Sequence, residues 1–599
     1  MAPARRADRA FRKAAKSVRK GPSLFPDMEE TPPAAAEPPA SKSAPAKGDK
    51  RPAEPKTAPR AEVKAAAERT ETAPEAKPSA RHRRTAEQMA AMQREISVSE
   101  FFTKNRHLLG FDNPRKALLT AVKEGVDNSL DACEEAGILP DIRVAISAIE
   151  NRDDRYKVTI EDSGPGIVPQ QVPRIFAKLL YGSKFHRMKM SRGQQGIGIS
   201  AAGMYGQLTT GRATRIISKT AARKKAYECE LLLDTRKNEP QLVREQEIDW
   251  DRAHGTHVEM DMEAKYTRGR QSVEEYLYQV SIANPHATIR FDPPEGEPFV
   301  LQRSTNDLPP EPREIKPHPL GIELGMLISM LQTTNARSLS SFLHVDFTRV
   351  SANVARDICK RAGLPESAKP SRIARQEADA LYGALQKTKL MKPPTDCVVP
   401  IGQELLLKGL KRGVEADFYH TVTRPPAVYR GNPFQIEVGL AYGGQLPADE
   451  PCRVLRFANR VPLLYQQSAC AVTRAAATTA WRNYGITQSQ GQLPVGPLAI
   501  VVHVASVWVP FTSESKEAIA HYPEILKEMR LALQECGRKL GIYVRHRRRE
   551  ADAERKRQYI TKYIPHIGIA LKEILHLTDK EEKQVVDKLV DMLEKSRTM

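Results

Sequence analysis

Cysteine is scarce in this chain. There are seven in 599 residues, an odd number, and no two form a CxxC pair. That excludes a disulfide framework and a thiolate zinc site, and it fits a reducing intracellular compartment. Long apolar runs are missing as well. The longest candidate, Leu498 to Phe511, is broken by His503 and Pro510, so it is expected to be a buried strand rather than a membrane-spanning helix. No GxxxxGK[ST] occurs, which excludes a Walker-type phosphate loop. Aromatic residues are only 6% of the chain, and residues 1–90 hold just two, Phe11 and Phe25. A segment so poor in aromatics and so rich in Ala, Pro, Lys and Glu cannot bury enough apolar surface to offset its ordering entropy, so residues 1–95 are expected to be a disordered tail.

What is abundant is positive charge. Lys and Arg number 93 against 73 Asp and Glu, a formal charge of +20. Residues 1–90 carry 20 basic and 12 acidic side chains, net +8, which leaves +12 for the remaining 509 residues. The balance favours a polyanionic partner, although part of it belongs to the tail. The basic first 20 residues would also suit an organellar transit peptide.

Order is expected from about Ser97. Asn113-Pro114 has the form of an N-cap and first helical residue, opening a helix to about Ala136 with Gly137 at its end. Ile142, Val144 and Ile146 alternate in one strand, Tyr156, Val158 and Ile160 in a second, and Gly255–Met262 in a third. Prolines at 309, 310, 312, 317 and 319 mark a linker. Residues 320–390 read as helical, with Leu324, Leu327, Ile328 and Leu331 on one face. Strands return at Gln435–Leu440, Val454–Ala458 and Leu498–Val509, and a long basic helix is expected from about Tyr522. No internal repeat is visible.

Four pieces carry chemistry. Glu124 and Asn128, four apart on the first helix, share a face, where a carboxylate and a carboxamide suit a water-orienting base and a ligand for a hard cation. Asp162-Ser-Gly164-Pro-Gly166 follows a strand. Its Asp is placed to accept from an exocyclic amine, and its glycines permit a tight turn. Gly193-Gln194-Gln195-Gly196-Ile197-Gly198-Ile199-Ser200 is a glycine-rich helix start whose N–H groups suit phosphate oxygens. Lys516 sits in a polar loop after the apolar strand. Singly, each is an ordinary feature: a polar helix face, an Asp/Gly turn, a glycine-rich loop, a solvated lysine.

The first three pieces, with Asn128, Asp162 and Gly193 spaced by 34 and 31 residues, resemble the GHKL ATPase superfamily, and Gly255-Thr256 is similar to its later Gly-Thr element. Longer stretches at Leu179–Phe185, Arg424–Phe434, Arg456–Tyr465 and Pro510–Glu517, together with the helical segment from Leu331, resemble the family of DNA topoisomerase VI B subunits. The resemblance covers about residues 97–575. It implies an α+β multidomain chain: a GHKL (Bergerat) α/β sandwich ATPase domain (96–317), a helix–two-turns–helix domain (318–395), an α/β transducer domain (396–545) and a C-terminal helical region contacting the topoisomerase VI A subunit (546–599). It implies ATP and Mg²⁺, with Asn128 holding the metal, Glu124 activating water and Asp162 reading adenine. Ser183, Lys184 and the Gly193–Ser200 loop would close on the phosphates, Thr256 would belong to the nucleotide site, and Lys516 would be the switch lysine on the γ-phosphate.

The same resemblance implies an A₂B₂ heterotetramer, ATP-dependent self-dimerisation, double-stranded DNA as partner, no membrane, and a cytoplasmic, nucleoid-associated place, or a nuclear one in a eukaryote. No tyrosine here accompanies an acidic metal-binding cluster, so DNA cleavage is expected of the A subunit. Two departures stand out. The tail is long where a strap normally exchanges between protomers, and the chain ends soon after the long helix, without the immunoglobulin-like domain of some relatives. Two alternatives remain open: another GHKL enzyme, or a non-hydrolysing DNA-binding scaffold. A histidine kinase should carry a phospho-accepting His helix where the tail stands. A scaffold has no need to keep Glu124, Asn128, Asp162 and Lys516.

Overall fold

The computed structural model describes residues 86–595 except 92, 94, 95, 151, 153, 184–186, 194, 195 and 514. The expected tail lies almost wholly outside them, as do Lys184, Gln194 and Gln195. The chain divides into two units, Met1–Met89 and Ala90–Met599. Helix α1 (Ala86–Ala90) falls at their junction, and everything below concerns the second unit.

The second unit opens with α2 (Val98–Lys104), capped by the Ser97 hydroxyl, which accepts from the Glu100 N–H. Helix α3 (Pro114–Glu135) starts as its sequence dictates. Asn113 Oδ1 accepts from the Lys116 N–H at 2.9 Å, and Pro114 spends no amide in the first turn. Ala136 and the left-handed Gly137 end it. Strands β1 (Asp141–Ala148) and β2 (Arg155–Asp162) pair antiparallel, with Val144 opposite Ile160.

After α4 (Val172–Phe176) and α5 (Gly198–Thr210) come β3 (Thr214–Lys219), β4 (Ala226–Asp234), β5 (Glu239–Ile248) and β6 (Gly255–Glu263). Helix α6 (Val273–Ala283), β7 (Thr288–Asp292) and β8 (Phe299–Leu301) complete an eight-stranded sheet of order β5-β4-β3-β6-β2-β1-β7-β8. Helices α3 and α5 pack on β2 and β6 and close one continuous core from Phe111 to Leu301. The register places Asp162, the last residue of β2, opposite Thr256 near the start of β6.

Residues 302–318 contain no helix or strand. Helices α7 (Leu324–Thr333), α8 (Leu339–Asp346), α9 (Ala352–Ala362) and α10 (Arg375–Lys387) then enclose a separate core around Leu327, Leu331, Phe342 and Leu381. Helix α11 (Gln403–Gly413) lies against α6, where Gly409 lets its backbone approach Ile282 so closely that a Cβ would stand 2.4 Å from the Ile282 carbonyl oxygen.

The second large sheet holds β9 (Phe418–Thr423), β10 (Ala427–Tyr429), β11 (Asn432–Tyr442), β12 (Arg453–Ala458) and β13 (Val461–Pro462). After α12 (Ala471–Thr478) and the hairpin of β14 (Thr487–Gln488) and β15 (Pro494–Val495), its central strand β16 (Leu498–Ser506) is buried along its whole length. Strand β16 runs antiparallel to β11 and parallel to β12. Helix α13 (Pro523–Leu575) covers this sheet with its first six turns, then runs on for a total of 53 residues, about 80 Å at 1.5 Å per residue. Helix α14 (Asp579–Lys595) folds back on it.

Candidate active site

Helix α3 carries Glu124 and Asn128 into a cleft of about 360 Å³ between the first sheet and the loop after β16. Asp162 and Thr256 line its floor at paired strand ends, and Gly166, Ser183, Gly193 and Gly196–Ser200 line its sides. Lys516 enters from the second sheet's side. Residues 392 positions apart in sequence therefore share one cavity.

Asp162 is the most constrained group. Its Oδ1 accepts from the Gly164 N–H at 2.9 Å and the Thr256 N–H at 3.1 Å, and its Oδ2 accepts from the Ser129 hydroxyl at 2.9 Å. Burial raises its pKa and these three bonds oppose the rise. Among the described residues Oδ2 accepts only the Ser129 bond, so on a residue lining the cleft it has a second lone pair to offer an exocyclic amine. Gly164 thus acts through Asp162. Gly166 has φ of +70°, and a Cβ there would stand 2.1 Å from the Lys219 carbonyl oxygen, so the turn tolerates no side chain.

The glycine-rich segment meets Glu124 directly. Gly198 begins α5, and a Cβ on it would fall 1.7 Å from Glu124 Oε2. The carboxylate occupies the space that glycine leaves, at the electropositive start of a helix. Asn128 Oδ1 faces Gly193, 3.7 Å from where a Cβ would be. The Ser200 hydroxyl turns away, toward the Ile175 and Lys178 carbonyls, so this residue offers the cleft its backbone.

Lys516 is half-buried, with φ of +52°, in the left-handed region uncommon for a side-chain-bearing residue. Burial holds its ammonium pKa below the usual value, and Glu124 opposes that shift. An ammonium so placed gains most from an anion entering the cleft.

The two sheets meet through buried polar groups. Arg192, just before the glycine-rich segment, donates to Asp131 (2.8 Å), Glu134 (2.6 Å) and Asn284 Oδ1 (2.5 Å). Asn284 Nδ2 donates to the Arg460 carbonyl at 3.3 Å, and the Arg460 N–H donates to His503 Nε2 at 2.9 Å. His503 Nδ1 bonds Glu437 at 2.7 Å.

Sequence reasoning gave no site role to Tyr181, Leu463, Tyr465, Tyr276 or Glu517, all of which line the cleft. Tyr181, Leu463, Tyr465 and Glu517 lie inside the stretches that carry the family resemblance, and that was the available signal; Tyr276 lies outside them. Among the described residues no group of three or more His, Cys, Asp or Glu is arranged to hold a metal. The glycine cradle over Glu124 and Asn128, with a lysine opposite, fits a Mg²⁺-bound polyphosphate, whose metal takes most ligands from phosphate and water.

Residues 113–237 match the family described as histidine kinase-, DNA gyrase B-, and HSP90-like ATPase, and residues 393–556 match the topoisomerase VI B subunit transducer. The type 2 DNA topoisomerase 6 B subunit of Methanosarcina acetivorans is 49% identical over 509 residues, 85% of this chain and 82% of the relative. That of Archaeoglobus fulgidus is 48% identical over 85% of this chain and 84% of the relative, and that of Pyrococcus horikoshii 37% identical over 83% and 94%. With an ATPase sheet, a transducer sheet and identity near one half over most of its length, the chain belongs to the family of type 2 DNA topoisomerase 6 B subunits.

Proposed function

We propose that this chain is the ATP-hydrolysing B subunit of a type IIB DNA topoisomerase, in which ATP closes a dimeric gate and a separate A subunit cuts and rejoins the duplex. Family membership supports the reading, and one observation carries it: Glu124, on a helix packed against the first sheet, and Lys516, in a loop after the central strand of the second, converge on one cleft. Asp162 would hold the adenine amine, and the Gly193–Ser200 backbone with Ser183 and Lys184 would surround the phosphates. Glu124 would take a proton from the attacking water. Asn128 would ligate Mg²⁺, which when bound supplies charge neutralisation to the triphosphate. Phosphoryl transfer needs this positioning and charge clamping more than covalent chemistry. Lys516, reaching the γ-phosphate from the transducer, would give hydrolysis a way to shift one sheet against the other, because ATP and ADP would favour different arrangements.

The division into tail (1–95), ATPase domain (96–317), helix–two-turns–helix domain (318–395), transducer (396–545) and C-terminal helical region (546–599) belongs to the same reading. Separate cores centred on Val122, Phe342 and Val502 support it. The partners belong to it too: the DNA-cleaving subunit in an A₂B₂ assembly, duplex DNA, and a second copy when ATP is bound. The site of action would be the nucleoid or, in a eukaryote, the nucleus. The test is ATP hydrolysis by the full chain with and without the DNA-cleaving subunit plus duplex DNA. Glu124→Ala should abolish turnover while nucleotide binding is largely retained. Equal loss of binding and turnover would remove Glu124 from the role of base.

A further inference from the structure

Lys516 does not hold its own position. Its backbone sits at φ +52°, and its side chain faces the cleft with its charge partly desolvated. The loop around it closes through the Phe511–Ile519 bridge, the Thr512 N–H donating to the Ala518 carbonyl at 2.9 Å and the Lys516 N–H donating to the Ser513 carbonyl at 3.1 Å. These bonds shape the loop, and the Ala471 N–H donating to the Ile519 carbonyl at 2.8 Å and Arg456 Nη1 donating to the Glu517 carbonyl at 3.4 Å anchor it on the second sheet's side, but none of them reaches α3. The residue that ties it to that helix is the next one. Glu517 is buried, its Oε1 lies 2.6 Å from Lys116 Nζ, and its Oε2 accepts from Gln466 Nε2 at 2.7 Å. Lys116 stands in the first turn of α3, two turns before Glu124 and three before Asn128. Asp112 holds it from below at 3.0 Å, and its ammonium lies 5.5 Å from the centre of the Tyr465 ring.

We propose that the Lys116–Glu517 pair is a latch that positions Lys516 for catalysis by fastening its loop to the helix that carries Glu124 and Asn128. The inference rests on the proposed role of Lys516 and assigns positioning residues to it. Three features distinguish the pair from an ordinary surface ion pair. Both side chains are largely shielded from water, at 13% and 8% exposed, so their attraction is little screened. The pair joins two domains rather than two turns of one helix. Its acidic member is covalently adjacent to Lys516, so a shift of Glu517 carries Lys516 with it. The latch thereby sets the distance between the ammonium and the water-activating carboxylate, which no bond within either sheet does. When the transducer moves, this contact must stretch or break, and the position of the lysine changes with it.

The test measures steady-state ATP hydrolysis by the full chain with the DNA-cleaving subunit plus duplex DNA, together with binding of a non-hydrolysable ATP analogue. Glu517→Gln keeps the shape of the side chain but removes the charge that holds Lys116, so the fold should survive while the latch is lost. Lys116→Met removes the charge from the other side. Each should lower kcat by at least about tenfold, as expected when a charge-assisted contact is misplaced in the transition state, with analogue affinity changed by less than about threefold. In a Lys516→Ala background neither should cause further loss, because the latch acts only through that lysine. Wild-type kcat in Glu517→Gln would overturn the latch, as would losses that multiply with Lys516→Ala. Should Lys516→Ala itself hydrolyse ATP at the wild-type rate, the assignment of Lys516 fails. Should Lys516→Ala lose turnover while Glu517→Gln keeps it, only the latch fails.

Discussion

Glu124 has its carboxylate in the space where Gly198 lacks a side chain, so one glycine sets how closely the loop approaches that carboxylate. With 1.7 Å between a Cβ at position 198 and Glu124 Oε2, even alanine must push the carboxylate or the helix start aside. Gly198→Ala should therefore lower kcat by about 10²-fold, the scale on which a misplacement near 1 Å acts. Nucleotide affinity should fall much less, since Asp162 and Thr256 are untouched. A kinetic assay beside an equilibrium binding measurement separates the two, and unchanged kcat would show that the carboxylate has another place to sit. The positions of Glu124, Asn128 and Asp162 were legible because helical spacing and a strand end fix where such residues point. The direction of the Ser200 hydroxyl was not legible, nor was the service of Gly164 to Asp162. Both depend on which carbonyl or carboxylate a neighbouring segment happens to present, and local pattern does not encode that.

Between elements, β16 and β11 enclose a pair with no access to water, His503 and Glu437, each wholly buried. The Arg460 N–H donates to His503 Nε2, so the ring proton resides on Nδ1, facing Glu437. Burial pushes the His503 pKa down; Glu437 opposes this, while Arg460 and Arg192 add to it. A histidine whose folded pKa lies below its unfolded value of about 6.5 takes up a proton more readily when unfolded. Stability is then complete above that value and declines as pH falls through it toward the folded pKa. Thermal unfolding should show Tm dropping from about pH 7.5 to about pH 5.5, with a smaller drop in His503→Gln, which offers a donor and an acceptor but no titration. An identical drop in both proteins would place the acid sensitivity elsewhere. At this scale the apolar alternation revealed β1, β2 and β6, and the Asn-Pro cap revealed α3. Strands β3, β4 and β5 were passed over. β5 is an edge strand without a single buried residue, so it carries no period-two signal. β3 offers only two adjacent apolar residues, Ile216 and Ile217, and in β4 the consecutive Leu231, Leu232 and Leu233 blur the alternation.

At the scale of the whole molecule, the far half of α13 stands away from every core. Its buried residues run from Ile525 to Val544 against the second sheet, and beyond that only Ile564 and Gly568 are covered, the latter by Val586 of α14. Two helices alone give a poor core, yet this arm presents Tyr559 at 63% exposure and Ile574 at 71%, with Ile560, Tyr563 and Ile567 between them. A contiguous exposed apolar surface of this kind marks an interaction site. In the proposed assembly its partner would be the DNA-cleaving subunit, held about 55–75 Å from the start of the helix, far enough for the nucleotide gate and the DNA-cutting gate to be separate. A chain ending at residue 545 keeps every residue of the cleft and the complete second core. It should bind ATP analogue with wild-type affinity and still hydrolyse ATP, but fail to co-purify with the DNA-cleaving subunit and fail to relax supercoiled DNA in its presence. Retention of that subunit by the truncated chain, in a pull-down at matched concentrations, would move the interface onto the transducer body and leave the apolar arm without its proposed purpose. Loss of nucleotide binding would show that the arm supports the cleft through α13 itself.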